Sequence, residues 1–200
     1  MSAEKMSVWG ITGHRRILHP DNLFQMLLRQ GEILLASGNE VCGLTPLAEG
    51  ADRIFARVLV QLGIPYSVPL PLVQQNYECD FPDTLGEFQM LLEKAQTVFT
   101  LPRCPWLTEN DVQPDAPGRN FQYLSVGVYI TNQSDVLFSA WDGQPARGMG
   151  GTAQITQLFQ DFTSLKTSVN EEQYRYFQAL GKRNTTAKRK LISLDVVQDK

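Results

Sequence analysis

Short runs rich in β-branched and aromatic residues alternate with apolar faces at helical spacing along most of the chain, and that alternation constrains the fold more than any single motif. The strand-like runs are Ser7–Thr12 (SVWGIT), Glu40–Leu44 (EVCGL), Tyr66–Leu72 (YSVPLPL), Thr97–Leu101 (TVFTL) and Asp135–Trp141 (DVLFSAW), with a sixth at Leu191–Val197. Each is too short for a helix and is bounded by turn-forming residues. Pro69 and Pro71 remove ladder donors, so Tyr66–Leu72 is expected to be strand only in its first half.

Between the strands lie helical faces. Leu23, Leu27 and Leu34 recur with Phe24, Leu28 and Leu35, with Asp21 as the expected N-cap and Gly38 as the stop. Ala51, Phe55, Val58 and Leu62 form a second face ending at Gly63, and Leu85, Phe88, Leu92 and Ala95 a third. Phe121, Leu124 and Val128 suggest a fourth, and Ile155, Leu158, Phe159 and Phe162 a fifth. The seventeen residues Pro102–Gly118 carry four prolines and no periodicity, which reads as a long irregular loop. Strands alternating with helices in this way imply an α/β domain: a doubly wound, mainly parallel sheet with helices on both faces. The 200 residues, 42% of them hydrophobic, suffice for one such core and would be cramped as two.

Charge and cysteine usage narrow the function classes. Eighteen basic against twenty-one acidic side chains give a net charge of −3, so nothing drives the whole molecule toward nucleic acid or membrane. Neither is an expected partner. MSAEKMSVWG has no signal-peptide core and no apolar run approaches a membrane span, so a cytoplasmic protein is expected. Cys42, Cys79 and Cys104 lack the spacing of a disulfide or metal framework, and no metal or cofactor is expected.

The residues that core packing does not explain all follow strands: Gly13–Arg16 (GHRR), Thr45–Asp52 (TPLAEGAD), Asn76–Phe81 (NYECDF) and Trp141–Thr152 (WDGQPARGMGGT). In an open parallel sheet these loops share one edge, where ligands bind. Gly148, Gly150, Gly151 and Thr152 open a helix, and glycines there suit either a phosphate cradle or a flexible turn. The spacing is neither G-x-G-x-x-G nor a Walker A loop. Gly13 ends the first strand, Arg15 could grip a phosphate, and His14 could bond a ligand or hold its loop. Gly50 allows close approach, while Glu49 and Asp52 suit ribose hydroxyls or the capping of a helix N-terminus. Trp141 with Asp142 stands at a strand mouth, where the indole could border a base or close the core. Tyr77 and Phe81 offer the same choice.

Together GITGHR (Gly10–Arg15), PLAEGADRI (Pro46–Ile54), YECDF (Tyr77–Phe81), SDVLFSAWDG (Ser134–Gly143) and GMGGTAQI (Gly148–Ile155) resemble the SLOG superfamily, which unites DprA-type DNA-processing proteins with LOG-type nucleotide hydrolases. The resemblance covers Val8 to Phe159. It implies a Rossmann-like domain over residues 1–165; beyond Phe159 the resemblance fades, and residues 166–200 are expected to add a C-terminal helix and a possible last strand packed on the same domain. It also implies a nucleotide or nucleotide-like ligand at the strand C-termini, bound by a sensor or binding protein. LOG-type phosphoribohydrolases carry P-G-G-x-G-T-x-x-E, and alignment on Gly151 and Thr152 puts Ile155 at the acidic position. An isoleucine cannot move a proton. The expectation therefore leans away from an enzyme; a phosphoribohydrolase using Glu49 is the alternative, and a DNA-binding module using the basic stretch Lys182–Lys190 a further one. Assembly into a homo-oligomer is left open.

Overall fold

Six strands pair in parallel in one sheet, in the spatial order β4-β3-β2-β1-β5-β6. They are β1 (Ser7–Gly13), β2 (Val41–Leu44), β3 (Tyr66–Leu70), β4 (Thr97–Thr100), β5 (Val136–Trp141) and β6 (Lys190–Asp195). The structure is a computed structural model, and it describes residues 6–145, 148–182 and 189–197. The helices are α1 (Pro20–Leu35), α2 (Ala51–Gln61), α3 (Gln74–Glu78), α4 (Leu85–Glu93), α5 (Arg119–Gln133), α6 (Thr152–Gln160) and α7 (Glu171–Ala179). Among the described residues no helix is long and apolar enough to cross a membrane. The architecture is the Rossmann-like, doubly wound one that the alternation implies.

Alternate residues of the strands face opposite layers, as the two-residue period of a strand requires. Val136, Phe138 and Ala140 of β5 join Trp9 and Ile11 of β1 in a core shared with α1 and α2. Leu137, between them, faces the other way and packs with Val126 and Ile130 of α5 and Phe159 of α6. A further apolar cluster ties α5, α6 and α7 together through Leu124, Val128, Leu158 and Phe177. Both faces of the sheet are thus covered, which is why its central strands read as continuous apolar runs.

Three local expectations are corrected. β3 runs through Pro69, which sits in register with Phe99 of β4. The carbonyls of Pro65 and Ser67 accept bonds from Gly43 and Thr45 on the β2 side. By alternation Pro69 points the same way, but β2 has already ended at Leu44, so its missing N–H costs no ladder bond. Second, α1 begins two residues earlier than an Asp21 cap allows: His19 is the cap residue and Pro20 opens the helix, leaving Asp21 in the first turn. Third, the stretch after β3 is not all loop, since Gln74–Glu78 forms the short helix α3. The stops at Gly38 and Gly63 stand as read, with φ of 76° and 67°.

Candidate functional site

The strand order sets where the chain must reverse. β1 leads outward through β2, β3 and β4, and β5 then returns to the other side of β1. Between the C-terminal ends of β1 and β5 neighbouring connections diverge, which is where a doubly wound sheet leaves a crevice. A cleft of about 480 Å³ opens there, with Ile11, Thr12 and Gly13 of β1 and Trp141 of β5 in its lining. That is within the range of small-molecule sites, roughly 300–1,000 Å³.

All four unusual loops reach it. His14 and Arg15 line it after β1, Pro46, Ala48 and Asp52 after β2, and Tyr77 from α3 after β3. Asp142, Gly148, Gly150, Gly151 and Thr152 line it after β5. Glu49 and Gly50 do not. The Glu49 carboxylate accepts a hydrogen bond from the Thr84 hydroxyl at 2.5 Å, outside the cleft. Gly50 works behind the wall: a Cβ there would lie 2.2 Å from the Arg15 carbonyl oxygen and 2.3 Å from that of His14. The Ala51 amide donates to the same His14 carbonyl, so the first turn of α2 is bonded directly to the β1–α1 loop. Phe81 is fully buried in a ring cluster with Tyr77 and Phe88.

The glycines before α6 have separate tasks. Gly150 has φ 78°, and a side chain there would press on the backbone of α5 at Leu124, so glycine is what lets the loop lie on that helix. Its amide donates to the Gln154 side chain at 2.7 Å, and the Gly151 amide to the Gly148 carbonyl. Beyond them the helix is uncapped: Gly151 supplies no side chain, and the first turn of α6 has no acidic residue. The first-turn amides of an α-helix have no partner within it, and Thr152 and Ala153 line the cleft. An anion seated there meets amides and the positive end of the helix dipole.

Arg15, in the same lining, is exposed and lies over the Tyr123 ring, 5.4 Å from its centroid. Tyr123 is itself fixed, donating to Asp80 at 2.5 Å and accepting from Arg119 at 2.9 Å. Arg119 is buried and also bonds Asp80 and both oxygens of Asn76. Burial, then Asp80, pushes the Tyr123 phenol up to about 12. Sequence reasoning missed Arg119, Asn120 and Tyr123, because the helix was recognised by its apolar positions. The available signal was the Arg119–Tyr123 spacing of four, which sets both on one face.

Two carboxylates in the cleft differ sharply. His14 and Asp142 form a closed pair at 3.0 Å that bridges the loops after β1 and β5. Burial would raise the Asp142 carboxyl, but bonds from the Gln144 amide and His14 outweigh it and hold it below its ordinary value. Asp52 is only 7% exposed, and burial lifts it to about 7 against the pull of Arg15, the Ala48 amide and Arg53. Arg53, the next residue, pairs with Glu87 at 3.2 Å. Burial and the neighbouring Asp52 raise Tyr77 well above the usual phenol range.

Trp141 borders the cleft with its indole N–H committed to the Gln144 carbonyl. Ile155 lies on the cleft floor, 2% exposed, beside Gly127. Of the basic stretch 182–190, residues 183–188 lie outside the described residues. Its Arg189 is exposed, with its guanidinium 4.0 Å from the Phe159 ring centroid and bonded to the Thr131 carbonyl. Among the described residues no group of three or more His, Cys, Asp or Glu could hold a metal. Comparison with protein-family models and with curated proteins finds no match for the chain.

Proposed function

We propose that the protein binds a nucleotide or nucleotide-derived anion in the cleft between β1 and β5, as a binding or sensor protein. One observation carries the reading: the uncapped, acid-free N-terminus of α6 opens into the switch-point cleft that Arg15 also lines. The first-turn amides of α6 and Arg15 take a phosphate between them. Trp141 offers flat apolar surface to a base. The resemblance to the SLOG superfamily supports the same ligand class from the sequence side.

A thermal-shift and calorimetric panel of mono-, di- and cyclic nucleotides tests it. At least one should bind the wild type and fail to bind Gly151→Asp. The variant suits the fold, because Gly151 has the extended backbone of a cap residue (φ −70°, ψ 160°) and Asp is a favoured N-cap. Its carboxylate would occupy the phosphate position. Silence of the wild type across the panel refutes the reading.

The phosphoribohydrolase alternative keeps one observation in its favour, the buried Asp52 in the cleft, since Ile155 is apolar and Glu49 is engaged by Thr84. Release of free base from a nucleoside monophosphate, lost in Asp52→Asn, would support it.

A further inference from the structure

Asp52 is the one described cleft residue whose carboxylate is both buried and free of a side-chain partner in the hydrogen-bond network around it: Asp142 is closed on His14, and Asp80 on Arg119 and Tyr123. Its position is fixed on three sides. Thr45 donates its hydroxyl to the Asp52 carbonyl, the preceding Ala51 amide is bonded to His14, and Gly50 lies against the Arg15 carbonyl. The charges that bear on it come from each neighbouring element. Arg15 reaches it from the β1–α1 loop and Tyr77 from α3, with Tyr123 and Asp80 behind the tyrosine. Arg53, on α2 itself, is turned to the Leu47 and Thr84 carbonyls and to Glu87 of α4. The His14–Asp142 pair also lines the cleft.

Arg15 therefore serves two anions, one resident and one arriving. An ionised Asp52 holds part of the field of Arg15 and repels an anion at the α6 N-terminus; a protonated Asp52 does neither and can donate a hydrogen bond to it. We propose that Asp52 determines the charge state in which the cleft takes its ligand: capture of the anion is coupled to protonation of Asp52, so anion and proton enter together. The proposal rests on the anion-binding reading of the cleft. The carboxyl titrates at about 7, which places the change where both forms are populated near neutral pH. Binding should be strong below that pH and weaken as pH rises through it, because the ionised form competes.

Sulfate is the probe, since its charge is constant across the range. Calorimetry on the full chain from pH 5.5 to 8.5 at fixed ionic strength should show affinity falling about tenfold, the scale of an ordinary coupling between two sites. Repeating the titration near neutral pH in buffers of different ionisation enthalpy should reveal uptake of about half a proton, the amount a tenfold coupling entails. In Asp52→Asn the affinity should stay at its low-pH value throughout, with no proton uptake by that residue. His14→Gln should keep the pH slope, and this arm remains decisive if the Asp52 variant does not fold. A flat wild-type profile, a slope that survives Asp52→Asn, or one that vanishes in His14→Gln overturns the coupling while leaving anion binding intact. Absence of sulfate binding in both wild type and Asp52→Asn at every pH removes the anion-binding reading, and the coupling with it.

Discussion

Gly50→Ala isolates a contact on which the cleft wall depends. Gly50 has φ 76° and ψ −122°, the mirror image of the β region, where a side chain costs about 1–3 kcal/mol. The added methyl would also lie 2.2 Å and 2.3 Å from two backbone carbonyl oxygens, which cannot swing away as a side chain would. Overpacking of that kind adds about 1–3 kcal/mol, so a total of about 4 kcal/mol is expected. Gly38 is the control, with the same φ of 76° and open space where its side chain would be. Gly38→Ala should cost about 1 kcal/mol, the backbone penalty less the stiffening of the unfolded chain. Urea unfolding at constant pH measures both. At about 2–4 °C per kcal/mol for a domain of this size, the melting temperatures of the two variants should differ by about 10 °C. Equal losses would refute the argument that the β1–α1 loop and α2 meet with no room for a Cβ.

Asp52→Asn should change how stability depends on pH. The wild-type carboxyl is raised in the fold, from 3.8 to about 7, so its contribution favours the folded state fully below pH 3.8 and is lost as pH climbs to 7. The loss is on the order of 4 kcal/mol at about 1.4 kcal/mol per pH unit, and denaturant midpoints from pH 4.5 to 8.5 should show the variant gaining on the wild type by a comparable amount; parallel curves would contradict it. Ile155→Glu should destabilise by about 3 kcal/mol or more, because it buries an unpaired carboxylate, and should release no base from a nucleoside monophosphate. A stable, active variant would show that the position tolerates the chemistry of the hydrolases.

The fold was legible in the sequence because a sheet covered on both faces writes its central strands as apolar runs, while the largely exposed edge strand β4 still stands out by its β-branched and aromatic residues. What misled was local. Pro69 breaks a strand only when its nitrogen faces a neighbour, and whether β2 extends that far is a property of the sheet, not of the YSVPL segment. The convergence of the four loops followed from topology alone. Their inner division did not: Glu49 and Asp52 are three residues apart in one motif, yet Glu49 bonds Thr84 and Asp52 lines the cleft. Arg119 and Tyr123 were hidden for another reason, since their partners Asn76 and Asp80 lie 43 residues away or about as far, on a different element.

The order in which the chain is made bears on when the cleft can exist. β1 pairs on one side with β2 and on the other with β5, and the His14–Asp142 bridge joins residues 128 apart. Contacts of such long separation form late, because loop closure must be met before they repay it. A chain that has emerged from the ribosome only through Thr100 can assemble β1 to β4, but it lacks β5 and α6 and with them one whole bank of the cleft. The cleft, and any anion binding proposed for it, therefore requires β5 and α6, and a chain cut before Val136 cannot form it.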